Sequence, residues 1–279
     1  MKNNDGNCKT TDEFKNDLKK LSGYSKVVKT YSTSDCNTLQ NLGPAAEDQG
    51  FKILLGIWPT DDAHFEAEKQ ALRSHLPSIS TSTIKTFIVG SEALYRNDLS
   101  ANSLSSKISD IKNLLKEIKD KNGNSYSSVS VGTVDSWNVL VDGGNEAVIH
   151  TADAVYANAF SYWQGQTKQN ASYSFFDDIM QALQVIQSTK GSNNIDFYVG
   201  ETGWPTGGSN YESSTPSVDE ASDFWQNAIC AIRAWGVNVA VFEAFDEAWK
   251  PNEHGNSVET HWGVFSANSQ LKYSLDCKF

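Results

Sequence analysis

The sequence predicts an α/β fold of the (β/α)8 TIM-type barrel class, and three observations carry that prediction. Apolar, β-branched runs alternate with amphipathic stretches along nearly the whole chain. Most of those runs are continuous rather than alternating, as expected of parallel strands covered on both faces. The length of 279 residues suits a barrel of roughly 250 residues. A doubly wound open sheet is the rival fold. It usually carries a glycine-rich turn after its first strand, and Tyr31–Cys36 has no glycine. No Pro- or Ser-rich linker, tandem repeat or break in composition divides the chain, so residues 1–279 read as one domain.

The elements follow in order. Thr10 and Glu13 have the spacing of a capping box ahead of Phe14, Leu18 and Leu21. Strands are expected at Val27–Ser32, Phe51–Trp58 and Thr86–Glu92. Leu104, Ile108, Ile111, Leu115 and Ile118 keep helical spacing and stop at Asn122-Gly123. The sign-alternating run Lys112–Lys121 reads as a solvated helix face. Strands follow at Ser128–Ser136 and Ala154–Phe160. Ile179, Leu183 and Ile186 make a second helical face before a strand at Phe197–Trp204. Phe224, Ala228, Ala231, Ile232 and Trp235 make a third, ended by Gly236, before the last strand at Val239–Asp246. These are seven strands where the barrel needs eight. The missing one belongs before the first helix, so either Met1–Asn7 stands in its place or another short segment fills the gap.

Composition excludes several classes. With 34 acidic and 23 basic residues the net charge is −11, which argues against a nucleic-acid partner. No window approaches 18 consecutive apolar residues, so no membrane span is expected. Eight Trp, 10 Tyr and 13 Phe supply a packed core and exclude a disordered chain. The five histidines, His64, His75, His150, His254 and His261, lack metal-site spacing, and no CxxC occurs, so no zinc site is expected. Four cysteines permit three pairings. Cys8–Cys36 with Cys230–Cys277 is favoured because it would staple both ends of the chain. Buried free thiols are the alternative, above all for Cys230 in its apolar run. Asn170-Ala171-Ser172 is a glycosylation sequon if the chain is exported. Polar residues follow Met1, so no signal peptide is expected, and an exported protein would be present as its mature form.

The chemistry is expected at the carboxyl ends of the strands, where barrel enzymes carry their active sites. Glu92 ends Phe87-Ile88-Val89-Gly90-Ser91-Glu92, and Glu201 lies near the end of Phe197-Tyr198-Val199-Gly200-Glu201. Glu243, Asp246 and Glu247 decorate the last strand. A charge ending an apolar strand is costly unless paired or used. A plain ion pair is the alternative for any one of them. Two carboxyls across a sugar, one held protonated and one ionised, are what glycosidic bond chemistry requires.

At Gly200-Glu201-Thr202-Gly203-Trp204-Pro205 and Val89-Gly90-Ser91-Glu92-Ala93-Leu94-Tyr95-Arg96 the sequence resembles glycoside hydrolase family 17, the β-1,3-glucanase family. The segments Thr133–Trp137, Asn158–Gly165, Phe242–Lys250 and His261–Phe265 resemble its fungal cell-wall branch. The resemblance runs from about Asn7 to Cys277. It implies a retaining mechanism on a (β/α)8 barrel, with the usual first strand missing or atypical. Glu92 becomes the general acid/base and Glu201 the nucleophile, and retention requires their carboxyls to lie about 5–5.5 Å apart. Related retaining barrels usually have Asn before the acid/base, contacting the sugar 2-hydroxyl, where this chain has Ser91.

Supporting residues complete the expected site. Tyr31, Trp137, Tyr162 and Trp204 offer flat faces for sugar stacking, or are core aromatics. Asp35, Asp135 and Asn158 suit sugar hydroxyls, or turns and caps. Glu243, Glu247 and Lys250 read as a charged network beside the nucleophile, and Tyr95 and Arg96 as shaping the site or opening the next loop. The resemblance implies a secreted or wall-located monomer acting on β-1,3-glucan. Its activity is expected to be that of a glucanosyltransferase, with an endo-β-1,3-glucanase or a non-catalytic wall protein as alternatives. No cofactor or metal is expected, because proton transfer and a covalent ester carry the reaction.

Overall fold

The computed structural model describes residues 1–251 and 257–278, so His254 lies outside the described residues. The chain divides into two compact units. The first comprises Met1, Cys8–Tyr156 and Val185–Asp196, and the second Lys2–Asn7, Ala157–Gln184 and Phe197–Phe279.

In the first unit the capping box forms: Thr10 Oγ1 accepts from the Glu13 amide, and Glu13 accepts the Thr10 amide at 2.8 Å. It opens α1 (Thr11–Leu21), which buries Phe14 and Leu18. There follow β1 (Val27–Lys29), α2 (Thr38–Gln49), β2 (Lys52–Ile57), α3 (Asp62–His75), β3 (Ile84–Ser91), α4 (Ala101–Glu117), β4 (Ser130–Ser136), α5 (Trp137–Leu140) and α6 (Glu146–Thr151). Val28 sits opposite Ile53, Leu54 opposite Thr86 and Thr86 opposite Ser130, all in parallel pairs. The side chains of Asp61 and Ser100 cap α3 and α4 by accepting from the His64 and Ser103 amides. Leu104, Ile108, Ile111 and Leu115 are buried on α4 as their spacing predicts. That helix ends at Glu117, however, with Ile118 extended. The solvated-face reading fails at Asp120, which is buried and accepts the amides of Thr81, Asn122 and Asn124. Cys8–Cys36 joins the segment before α1 to the turn before α2.

The strand β5 (Val155–Asn158) passes from the first unit into the second. In the second unit Asn158 pairs with Glu201 of β6 (Tyr198–Thr202), and Val199 with Val239 of β7 (Asn238–Val241). The seven strands follow one another in chain order in a parallel sheet. Between β5 and β6 runs α7 (Lys168–Lys190), and between β6 and β7 lie α8 (Val218–Phe224) and α9 (Ala231–Ala234). A π turn at Trp225–Cys230 joins α8 to α9. That wider turn explains a departure from the expected helical face. Phe224, Ala228 and Ile232 stay buried, whereas Trp235 falls off the face and is 62% exposed.

The last strand is also shorter than expected, ending at Val241 rather than Asp246. Beyond it the backbone turns to the segment 262–265: Glu243 N–H donates to Trp262 O, and Glu243 O accepts from Val264 N–H. Lys2–Asn7 forms a turn, not a strand. Lys2 Nζ lies 4.7 Å from the Trp249 ring centroid, and Asn4 donates to Ala267 O. No eighth strand occurs in the sheet among the described residues. The disulfide Cys230–Cys277 fastens the C-terminal segment to the end of the π turn. Trp225 Nε1 and Gln226 Nε2 donate to Leu275 O and Asp276 O on the same segment.

Candidate active site

In the first unit the site is built where β3 and β4 end. Gly90 takes φ +81° and Glu92 φ +56°, a left-handed conformation that a non-glycine residue holds only when its surroundings fix it. Those surroundings are visible. Glu92 N–H continues the strand ladder to Val134 O at 2.9 Å, and its carbonyl accepts from Arg96 N–H at 3.0 Å. Arg96 donates to Ser91 O at 2.7 Å and to Asp98, its guanidinium lies 3.9 Å from Glu92 Oε2, and it stacks 4.9 Å over Trp58.

Asp135 completes the clamp. Its fully buried carboxylate accepts the amides of Leu94 at 2.9 Å, Tyr95 at 3.2 Å and Ser136 at 2.9 Å. Burial raises its pKa to about 6, against the pull of those three amides and of Arg96. Asp135 therefore braces the Glu92 turn from inside, the cap chemistry that its sequence reading offered beside contact with a sugar hydroxyl. Ser91 is buried, Trp137 is half-buried at the start of α5, and Tyr95 is 52% exposed. Tyr31 is half-buried beneath Lys29, and Asp35 is exposed.

Two residues here escape sequence reasoning. Glu68 lies in the middle of α3 with its side chain wholly buried, and His64 one turn earlier approaches it. The signal was available: Phe65, Glu68 and Leu72 share one helical face, and a glutamate on an otherwise apolar face marks a partnered charge.

In the second unit Glu201 is buried at the end of β6, opposite Asn158, and its carbonyl accepts from Ala159 N–H. Asn158 is buried beside it. Tyr162 and Trp204, read from the sequence as stacking faces or as core aromatics, are buried in the core. Tyr162 is wholly buried and donates to Ser209 O, and Trp204 Nε1 donates to Thr215 O. The rings of Trp163, Trp204, Tyr211 and Trp262 surround Tyr162 at 4.9–6.2 Å. Of this cluster Trp163 and Tyr211 open to solvent, at 37% exposure each. Trp262 Nε1 is a buried donor with no partner among the described residues.

Lys250 bridges two acids, 2.7 Å from Glu243 and 3.1 Å from Glu247. Burial, then the charge of Glu247, holds the Glu243 carboxyl well above the ordinary range, with Lys250 opposing. Burial pulls Lys250 down, but the two carboxylates outweigh it and its pKa is raised. Beside them Lys272 pairs with Asp246, which also accepts from Gly263 N–H.

Strand-end carboxylates, braced from beneath and accompanied by half-open aromatic rings, are the equipment of a carbohydrate-active enzyme on a parallel α/β sheet. Comparison with known proteins makes the class specific. The family model described as "Glycosyl hydrolases family 17" matches residues 1–277, and the chain belongs to that family of retaining glycoside hydrolases. It is similar to the glucan 1,3-beta-glucosidase BGL2 of Candida albicans, 66% identical over 280 aligned positions that cover all of this chain and 91% of the relative. A glucan 1,3-beta-glucosidase of Saccharomyces cerevisiae is equally similar, at 66% over all of this chain and 90% of its own. Among solved structures, a family 17 β-1,3-glucanosyltransferase from Rhizomucor miehei is 28% identical with a TM-score of 0.84, over 99% of this chain and 96% of that one. The fold class is thus the TIM-type (β/α) barrel that the strand pattern predicts.

Proposed function

We propose that this enzyme is a retaining β-1,3-glucan glucanosyltransferase whose single catalytic domain spans residues 1–279. The observation that carries the transferase reading is the near full-length similarity to the Rhizomucor miehei glucanosyltransferase. The names of the fungal relatives support β-1,3-glucan as substrate.

Glu201 is the nucleophile. Its carboxylate oxygen attacks the anomeric carbon as the glycosidic C–O bond breaks, and Glu92 gives its proton to the departing oxygen. A hydroxyl of a second glucan chain then loses its proton to Glu92 and attacks the same carbon, releasing Glu201. Water in place of that hydroxyl gives hydrolysis. The brace of Asp135 and Arg96 supports the role of Glu92, because an acid/base must be held in reach of the oxygen it serves. Ser91, Tyr95, Trp137, Tyr31, Asp35 and Asn158 are assigned to sugar binding, and the Glu243–Lys250–Glu247 network to orientation of the nucleophile. Trp163 and Tyr211 supply the aromatic faces in the second unit. Two disulfides fit an oxidising compartment, in line with a secreted or wall-located enzyme acting as a monomer.

A product time course on a short β-1,3-glucan oligomer tests this. Products longer than the starting oligomer are expected. Shorter products alone, at high substrate concentration, would leave an endo-β-1,3-glucanase, a reading that the name of an Aspergillus flavus relative 30% identical to this chain favours. Binding without any product would leave a non-catalytic wall protein.

A further inference from the structure

We propose that Glu68 is a positioning residue for substrate binding, fixing the strand-end segment Tyr31–Asp35 and Trp58 as one rigid sugar-contacting wall. The inference rests on the proposed function above. Glu68 reaches from α3 to two neighbouring strand ends at once. Its Oε2 accepts from Thr33 N–H at 2.8 Å, Thr33 Oγ1 at 2.8 Å and Trp58 N–H at 3.2 Å. Its Oε1 accepts from Ser34 N–H at 3.2 Å, Ser34 Oγ at 2.5 Å and the Ser32 hydroxyl. The side chain is wholly buried, so each donor it leaves unmet would carry the desolvation cost of a buried polar group.

What it holds are the flanks of candidate sugar contacts. Tyr31 precedes the clamped triplet Ser32–Ser34, and Asp35 follows it. Ser32 Oγ accepts the Asp35 amide at 2.9 Å, passing the constraint onward. On the second strand end the Trp58 backbone is fixed, and its ring lies under Arg96, whose guanidinium neighbours Glu92. A cation site is the competing reading, because Asp35, His64 and Glu68 bring three donor atoms within 4.8 Å of one another. His64 Nε2 lies 3.1 Å from Asp35 and 3.2 Å from Glu68, aligned for a hydrogen bond to neither. The two Glu68 oxygens, however, already accept six hydrogen bonds, more than their four lone-pair sites serve singly. A metal ion would have to displace some of them, so the geometry points to a brace for the wall.

The test uses Glu68→Gln, whose amide must turn a donor toward amides or hydroxyls that now donate to it. Ser34→Ala is the milder partner, removing one hydroxyl and leaving the carboxylate. Initial rates on a β-1,3-glucan oligomer are expected to show KM raised about tenfold in Glu68→Gln, the equivalent of one lost hydrogen bond at ~1.4 kcal/mol. Ser34→Ala should raise KM severalfold, with kcat within about twofold in both. A fall in thermal stability with KM unchanged in Ser34→Ala overturns the inference, and so does a loss of kcat at unchanged KM. If Glu68→Gln does not fold, Ser34→Ala alone decides. Absence of glucan products from the unsubstituted enzyme would instead sink the proposed function, so the two failures are distinct.

Discussion

Asp135→Asn isolates the brace beneath Glu92. The substitution keeps shape and volume but replaces one oxygen by an NH2. With Oδ1 kept on the Tyr95 and Ser136 amides, the new Nδ2 faces the Leu94 amide, donor against donor. One buried amide left unmet costs about 1–3 kcal/mol, and part of that is expressed as a looser Glu92 turn, lowering kcat roughly tenfold. The charge acts in the other direction. Burial raises the Asp135 pKa from 3.8 to about 6, so the folded protein holds this proton more tightly than the unfolded chain. A carboxyl raised in this way contributes stability at low pH that is lost as pH rises through about 4 to 6. The tighter hold on the proton corresponds to about 2–3 kcal/mol across that window. Asn has no such transition. Urea unfolding of both proteins at pH 4, 5, 6 and 7 should therefore show Asp135→Asn most destabilised at pH 4 and recovering most of that deficit by pH 7. Parallel pH curves, or a deficit that widens toward pH 7, would refute the assignment of a buried, proton-retaining brace.

Glu92→Gln should lower the rate on unactivated glucan about 10²–10⁴-fold. A glucoside whose leaving group needs no proton should lose far less in its first step, and an equal loss on both substrates would count against the acid/base role. Lys250→Met strands Glu243 and Glu247 together in a buried site and should cost about 3–5 kcal/mol at pH 7, read by urea unfolding. Because burial and Glu247 already raise the Glu243 pKa, protonation relieves the clash and the cost should shrink at pH 4.5; a cost independent of pH would mean the cation is not what offsets the pair. Gly203→Ala drives a Cβ to 2.1 Å from the backbone oxygen of Phe242, which no side-chain rotation relieves, and should cost about 1–3 kcal/mol with reduced turnover. A neutral Gly203→Ala would mean that the β6 end has room to move.

β2 to β6 were legible because parallel strands buried on both faces read as near-continuous apolar runs, and the shorter, part-exposed β1 and β7 through the valines Val27, Val28, Val239 and Val241. Glu92 and Glu201 stood out as charges ending two of the runs. What escaped was decided by local geometry that periodicity does not encode. One wider helical turn between Phe224 and Ala231 rotated Trp235 into solvent. The backbone beyond Val241 left its neighbour strand to pair with residues 262–265, twenty positions downstream. Burial was harder still to read. The apolar face around Glu68 and the strand around Asp135 mark both acids as partnered, but which amides they serve, on other segments, is not written in either pattern. Tyr162 and Trp204 offer the flat faces that sugars stack on, yet both are buried, with hydroxyl and indole groups satisfied by the Ser209 and Thr215 carbonyls.

The fastening of residues 275–277 to the π turn reaches beyond the two hydrogen bonds and the disulfide themselves. That segment belongs to no helix or strand, and its attachment to the rest of the second unit runs sideways through Cys230 as well as along the backbone. A protease that nicks the chain anywhere between Cys230 and Cys277 would therefore release nothing: the clipped enzyme keeps its mass on a non-reducing gel, and the two pieces part only when a thiol is added. In a preparation handled without reductant, an intact band is no proof of an uncut chain.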